Sequence, residues 1–440
     1  MKSSAQQKIA SWSVGLLAFI CVIVPFHAFL TVWAGSTFGH YTAWRLWAEL
    51  LLLPLFGAAL VRLWRDKKLL AAVRVSPLTW CLAGYVVVQL TVGVWALVTH
   101  RVTKTALADG LILNLRLPAF FFVGQVLATR SSWLQTHWRK VVLVPAAIVV
   151  AFGLLQVLVL PVNFLQHFGY GPHAIAPYET VDQKLAYVRA QSTLRGANPL
   201  GAYLVIVISA FAVVGFAKRK LWAKILLSLG FVGSLALLGY TYSRSAYLGA
   251  LVALVALVWW AIQSARLKRW AMLAGVAILL LGVSSFLLLR HNDRFENTFF
   301  HTDQRSQSAE SSNQARSSAL EDGLRDVLHE PLGEGPGTAG LASAHNTGHS
   351  ARIAENYYLQ IGQESGWLGL ALFAAINASV ASGLWRRRAD PLARMLLGSL
   401  LGITLINMLS HAWTDDTLAI LWWSLAGAAL TQPETKAERL

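Results

Sequence analysis

The sequence predicts an all-α integral membrane protein of about twelve transmembrane helices, and three observations predict it. Its 440 residues are 56% hydrophobic and only 13% charged, with a mean hydropathy of +0.52, whereas a soluble domain keeps roughly a quarter of its residues charged. The apolar residues fall in runs of about 20, the length that crosses about 30 Å of hydrocarbon. The 37 Lys and Arg collect between alternate runs, as the positive-inside rule requires. A formal charge of +16 therefore reports orientation in a membrane, not a nucleic-acid surface. Cys21 and Cys81 lie inside apolar runs, which excludes a disulfide framework and a CxxC-type metal site.

Taken in order, the first run follows Met1-Lys2 and Lys8. It is too long for a signal-peptide core and lacks a small-residue cleavage site, so it reads as a retained first helix. The twelve windows lie near 9–33, 43–64, 77–99, 109–128, 141–160, 197–217, 222–239, 245–263, 270–289, 366–384, 393–411 and 417–431. One set of connections carries Arg65-Asp66-Lys67-Lys68 with Arg74, Arg139-Lys140, Lys218-Arg219-Lys220, Arg266-Lys268-Arg269 and Arg386-Arg387-Arg388. These are expected in the cytoplasm with both termini. Three parts follow: helices 1–9 with an outer loop at 161–196 in residues 1–289, a large outer loop at 290–365, and helices 10–12 with a cytoplasmic tail in 366–440. No repeat relates residues 1–220 to 221–440.

The large loop is expected to be partly helical. Asp303–Gln314 is rich in Ser, Gln and Asn and reads as mobile. Leu320, Leu324, Val327 and Leu328 then recur at helical spacing until Pro331 ends the helix. Gly333-Glu334-Gly335-Pro336-Gly337 demands unusual backbone angles.

The polar residues at outer helix ends are the candidates for chemistry. Arg244 sits in Tyr240-Thr241-Tyr242-Ser243-Arg244-Ser245-Ala246-Tyr247 at the start of the eighth span, where a guanidinium either snorkels or faces a polar cavity. Its Ser neighbours and Tyr242 suit the cavity. Arg189 and Arg195 lead into Gly196-Ala197-Asn198-Pro199 and fit a loop folded on the outer face, where lipid-linked phosphates lie; a plain interfacial loop is the alternative. Arg316 on the loop helix and Arg116 within Leu115-Arg116-Leu117-Pro118 complete the cationic set, Arg116 reading equally as a snorkelling helix end. Arg290 and Arg294 read equally as flanking charges. Glu355 and Asn356 open a helix, either as caps or as a carboxylate near the arginines. His345 and His349, just upstream, are alternative bases.

These segments resemble the bacterial O-antigen ligase and polymerase superfamily of integral-membrane glycosyltransferases. Its ligases show His-Asn, nine residues, Gly, two residues, Gly, which Asn356, Gly366 and Gly369 match, with Glu355 in place of His. Ser243-Arg244-Ser245, Arg195 to Pro199, and Pro331 to Gly337 are also similar to family segments. The resemblance implies a GT-C-like enzyme in the bacterial inner membrane, with its active site in the periplasmic loop. It implies an undecaprenyl-pyrophosphate-linked glycan donor, an acceptor hydroxyl on a glycan or on lipid A-core, and other polysaccharide-assembly proteins as partners. Membrane lipids are partners and nucleic acid is not. Arg244, Arg316, Arg195 and Arg189 would neutralise the diphosphate, so neither a metal nor another cofactor is required. Arg116, Asn356, Tyr242, His345 and His349 would line the substrate site, and Glu355 or a nearby His would serve as base. With Glu in the ligase His position, polymerisation of lipid-linked repeat units leads and ligation to lipid A-core follows.

Two other classes remain open. A secondary transporter also has about twelve spans, but transporters commonly show two similar halves and polar breaks at mid-membrane. A structural subunit with a basic outer loop would tolerate loss of Glu355 and Arg244. Asp415-Asp416 is an acidic pair, but adjacent helical residues point about 100° apart, which argues against a metal site.

Overall fold

The computed structural model describes residues 4–181, 184–215, 220–270, 284 and 312–432. The ninth expected span at 270–289, Arg290, Arg294 and most of Asp303–Gln314 lie outside the described residues. The chain folds as α1 (Ser4–Ile23), α2 (His27–Phe38), α3 (Tyr41–Arg45), α4 (Trp47–Arg65), α5 (Lys67–Val75), α6 (Pro77–Val98), α7 (Lys104–Ala128) and α8 (Trp133–Leu158). A hairpin follows, β1 (Glu179–Val181) and β2 (Lys184–Arg189), then α9 (Ala197–Gly215), α10 (Leu221–Tyr240) and α11 (Arg244–Ala261). After the loop helix α12 (Ser312–His329) come α13 (Tyr357–Arg386), α14 (Pro391–Leu409) and α15 (Asp416–Ala429).

Among the described residues, ten helices are long and apolar enough to cross a membrane, with α1 and α2 forming one span over Trp12–Phe38. Many of their large side chains face outward, such as Leu53, Val94, Leu229 and Leu251. In water this surface would be unfavourable; in lipid it is solvated. The expected twelfth span is α15, whose 14 residues reach about 21 Å at 1.5 Å per residue. It is buried along its length and packs backbone to backbone on α7. There a β-carbon on Gly427 would meet the Phe121 carbonyl, and one on Gly124 the Ser424 carbonyl.

Two ends of the bundle are distinct. At one, Arg62 bonds Thr129 at 2.6 Å and Arg387 donates to the Ala429 carbonyl. The other carries the hairpin, the described part of the large loop and the turns at 240–244 and 410–415.

The tenth span departs from expectation in an informative way. The helix begins at Tyr357, and Gly366 (φ 65, ψ −169) breaks it where the span was expected to start. Pro331 and Leu332 fill the break: Trp367 N donates to the Pro331 carbonyl, and a β-carbon on Gly366 would strike that oxygen. Only glycine fits both the angle and the contact.

The loop helix ends before Pro331, as the sequence predicts, but its buried face differs. Gly323 and Val327 meet Ala354, Leu359 and Gly362, while Leu320, Leu324 and Leu328 stay exposed. The 161–196 segment, expected only as a loop, contains the β1–β2 hairpin with Glu179 opposite Arg189.

Candidate functional site

At the loop end of the bundle a cavity of about 250 Å³ is lined by Glu179, Arg195, Gly196, Asn198, Pro199, Leu341, Glu355, Ile406, Ser410, His411, Ala412 and Asp415. It joins segments that are far apart in the chain, and each is fixed by a local reason.

Asn356 caps α13, its Oδ1 accepting from Tyr358 N at 2.9 Å and Leu359 N at 3.1 Å. Its Nδ2 donates to the Met408 carbonyl at 3.0 Å. Tyr357 N donates to the Ser410 carbonyl at 3.1 Å. The start of α13 is thereby bolted to the end of α14. Capping thus accounts for Asn356 but not for Glu355, which lies before the cap with φ 50 and reaches the cavity. A non-glycine residue at this angle costs about 1 kcal/mol or more and persists only where its surroundings impose it.

Arg195 is delivered by a buried segment. Ser192, also left-handed at φ 52, donates from N to Gln156 Oε1 at 2.8 Å and from Oγ to the Val149 carbonyl at 2.7 Å. Thr193 donates to the Pro25 carbonyl at 2.8 Å. Beyond these anchors, Arg195 meets Asp415 Oδ2 at 3.4 Å and donates to Thr414 Oγ1 at 3.2 Å. Burial pushes the Asp415 carboxyl above its usual range, with the Arg195 guanidinium pulling it back.

The other arginines are distributed unevenly. Arg189 stands behind the cavity wall, donating to Glu179 Oε2 at 3.2 Å, Asn198 Oδ1 at 2.7 Å and the Thr241 carbonyl at 2.9 Å. It ties the hairpin to the turn that holds Tyr242, whose φ is 50 and whose ring stands edge-on to Tyr187 at 6.2 Å. Arg244 follows at the start of α11. That helix runs antiparallel to α14, with Gly249 against Gly402 and Ile406, and Leu257 against Gly398. Arg244 therefore lies at the same end as Ser410, and so at the same end as Glu355.

Arg116 is elsewhere. It is 6% exposed, pairs with Glu49 at 2.6 Å and also contacts Asp416, whose other oxygen is 3.1 Å from His27. Arg316 lies on α12, and its side chain is outside the described residues.

Neither upstream histidine lines the cavity. His345 pairs with Asp109 at 2.7 Å, which Arg45 also holds at 2.6 Å, and His349 is exposed in a turn. The histidine that does line it is His411, together with Asp415 and Glu179. The sequence draws notice to Asp415 only as half of the Asp415-Asp416 pair and to His411 and Glu179 not at all, because these residues come from loops whose approach depends on packing.

The loop reaches the cavity through two anchors. Glu364, fully buried, accepts from Asn114 Nδ2 at 2.7 Å and from Gly337 N at 2.9 Å, fixing the glycine turn against α7. Arg352 binds Asp326 at 2.5 Å, Glu330 at 3.2 Å and Glu334. Burial raises the Glu330 carboxyl above its usual range, opposed by Arg352 and reinforced by Glu334 and Asp326.

Residues 229–374 match a family model described as O-antigen ligase. The match takes in Arg244, the described loop, Glu355, Asn356, Gly366 and Gly369, and leaves out Arg189, Arg195 and the 410–415 wall. A search of curated proteins gave no match.

Proposed function

We propose that this chain, whose residues 229–374 match a family model described as O-antigen ligase, moves glycan from an undecaprenyl-pyrophosphate carrier to an acceptor hydroxyl at the periplasmic face. The observation that carries this reading is the meeting of Arg195 and Glu355, 160 residues apart in sequence, in one cavity. The acceptor oxygen bonds to the anomeric carbon of the donor sugar as that carbon's bond to the diphosphate oxygen breaks. The electron pair leaves with the undecaprenyl pyrophosphate, and the hydroxyl proton passes to a base in the cavity, for which Glu355 is placed. Arg195, with Arg244 at the same end, offsets the charge gathering on the diphosphate. Such a leaving group needs cations more than it needs a metal, so transfer is expected to persist in excess EDTA. Abolition by EDTA and restoration by magnesium would count against the arginine reading.

Polymerisation of repeat units is the preferred reaction, because Glu355 stands where the ligases it resembles carry His. The test uses purified protein and defined lipid-linked repeats, offered with and without lipid A-core. A ladder of multiples is expected. A single capped lipid A-core product would make it a ligase instead, and no transfer from any such donor would overturn the reading.

A further inference from the structure

Resting on that glycan-transfer reading, we propose that His411 is a second catalytic group, taking from Glu355 the proton that Glu355 accepts from the attacking hydroxyl. His411 and Glu355 line the same cavity. Their backbones are joined beside it, since the Ser410 carbonyl accepts from Tyr357 N and the Met408 carbonyl from Asn356 Nδ2. These two bonds hold the segment that carries Glu355 against the segment that carries His411.

The charges around the cavity give the imidazole its task. The described lining has three carboxylates, Glu179, Glu355 and Asp415, against one guanidinium, Arg195. Glu179 is held by Arg189 and Asp415 by Arg195 itself. When the carrier diphosphate departs it gains a negative charge in a cavity already rich in carboxylate oxygen. A proton left on a carboxylate cancels one charge at a group that ordinarily loses it at neutral pH. A proton moved to an imidazole, which titrates near neutrality, restores the carboxylate and creates a cation beside the leaving group. The balance is complete: the hydroxyl proton ends on His411, Glu355 is regenerated, and the electron pair of the broken bond resides on the diphosphate. A base whose affinity for protons lies near the working pH is also the more effective one.

The test is transfer by the purified full chain from a defined lipid-linked repeat, with pH profiles for wild type, His411→Gln, Glu355→Gln and the double variant. His411→Gln is expected to lower kcat by about 10²-fold or more with little change in KM. If His411 takes the proton, wild type is expected to show a limb in the range of an ordinary imidazole that His411→Gln lacks. The double variant should be little worse than the poorer single one, as for groups that act as a unit. His411→Gly should regain rate when imidazole is added. Wild-type rate and pH profile in His411→Gln would overturn the proposal. So would a loss with the limb intact and no imidazole rescue, since that pattern marks a structural role. Wild-type protein that transfers nothing would bring down the glycan-transfer reading and this inference with it, a result distinct from a loss confined to the His411 variants.

Discussion

At the scale of single residues, strain and function separate at Glu355. Its left-handed backbone is unfavourable for a β-carbon and natural for glycine. Glu355→Gly should therefore raise stability by up to about 1 kcal/mol while transfer falls by about 10²-fold or more. Glu355→Gln should keep the strain and lose the same activity. A thermal midpoint and a turnover rate for each variant check this, and a destabilised Glu355→Gly would show that the angle is unstrained. Sequence reasoning brought Glu355, Arg195 and Arg189 to notice because carboxylates and guanidinia at outer helix ends are unusual in so apolar a chain. It did not separate Glu355 from Asn356, because both suit a helix start. Nor did it mark His411, whose place depends on one backbone hydrogen bond between helices, a contact that leaves no local pattern.

At the scale of elements, helix existence was legible and helix interruption was not. Runs of about 20 apolar residues fix a span. The break at Gly366 depends on Pro331 and Leu332 arriving from another segment, and a lone glycine in a helical pattern does not announce that. The β1–β2 hairpin was missed because its strands are short and pair through a charged couple, Glu179 with Arg189. The loop behind the cavity depends on Arg352 facing three carboxylates, and here pH enters. Since burial and its acidic neighbours raise the Glu330 carboxyl, its contribution to loop stability is whole below the ordinary carboxylate range and is lost as pH rises through the raised value. Arg352, held above its usual value by these same carboxylates despite its burial, keeps its contribution throughout the neutral range. Arg352→Gln removes the opposing cation, so α12 should loosen most at pH 8 and recover towards pH 5. Hydrogen exchange over residues 317–350 measures this; equal loosening at both values would mean that the cluster does not hold the loop.

At the scale of the whole molecule, an ionic chain with buried cations and half-buried carboxylates joins four helices: Glu49 of α4, Arg116 of α7, Asp416 of α15 and His27 of α2. Sequence reasoning placed Arg116 among the substrate contacts, since an arginine in an apolar run gives no hint whether its partner is a ligand or the protein. Removing one member of such a set leaves charges buried without a counterion, at a cost of about 3–5 kcal/mol. Arg116→Ala is expected to lower the thermal midpoint sharply, with Glu49→Gln in the same chain restoring part of it; normal stability with a raised KM for donor would instead make Arg116 a substrate contact. The same packing that holds this chain separates the two ends of the bundle, one carrying Arg62, Arg65 and Arg386–Arg388, the other the cavity. The positive-inside rule predicts that the first end faces the cytoplasm, which would open the cavity to the opposite side, where the proposed carrier-linked glycan is offered. In a chain with Cys21 and Cys81 replaced, a cysteine at exposed Ser350 should react with an impermeant maleimide while the inner membrane is intact. One at exposed Ala389 should react only after that membrane is opened. The reverse pattern would put the cavity in the cytoplasm and remove the physical basis for a periplasmic transfer.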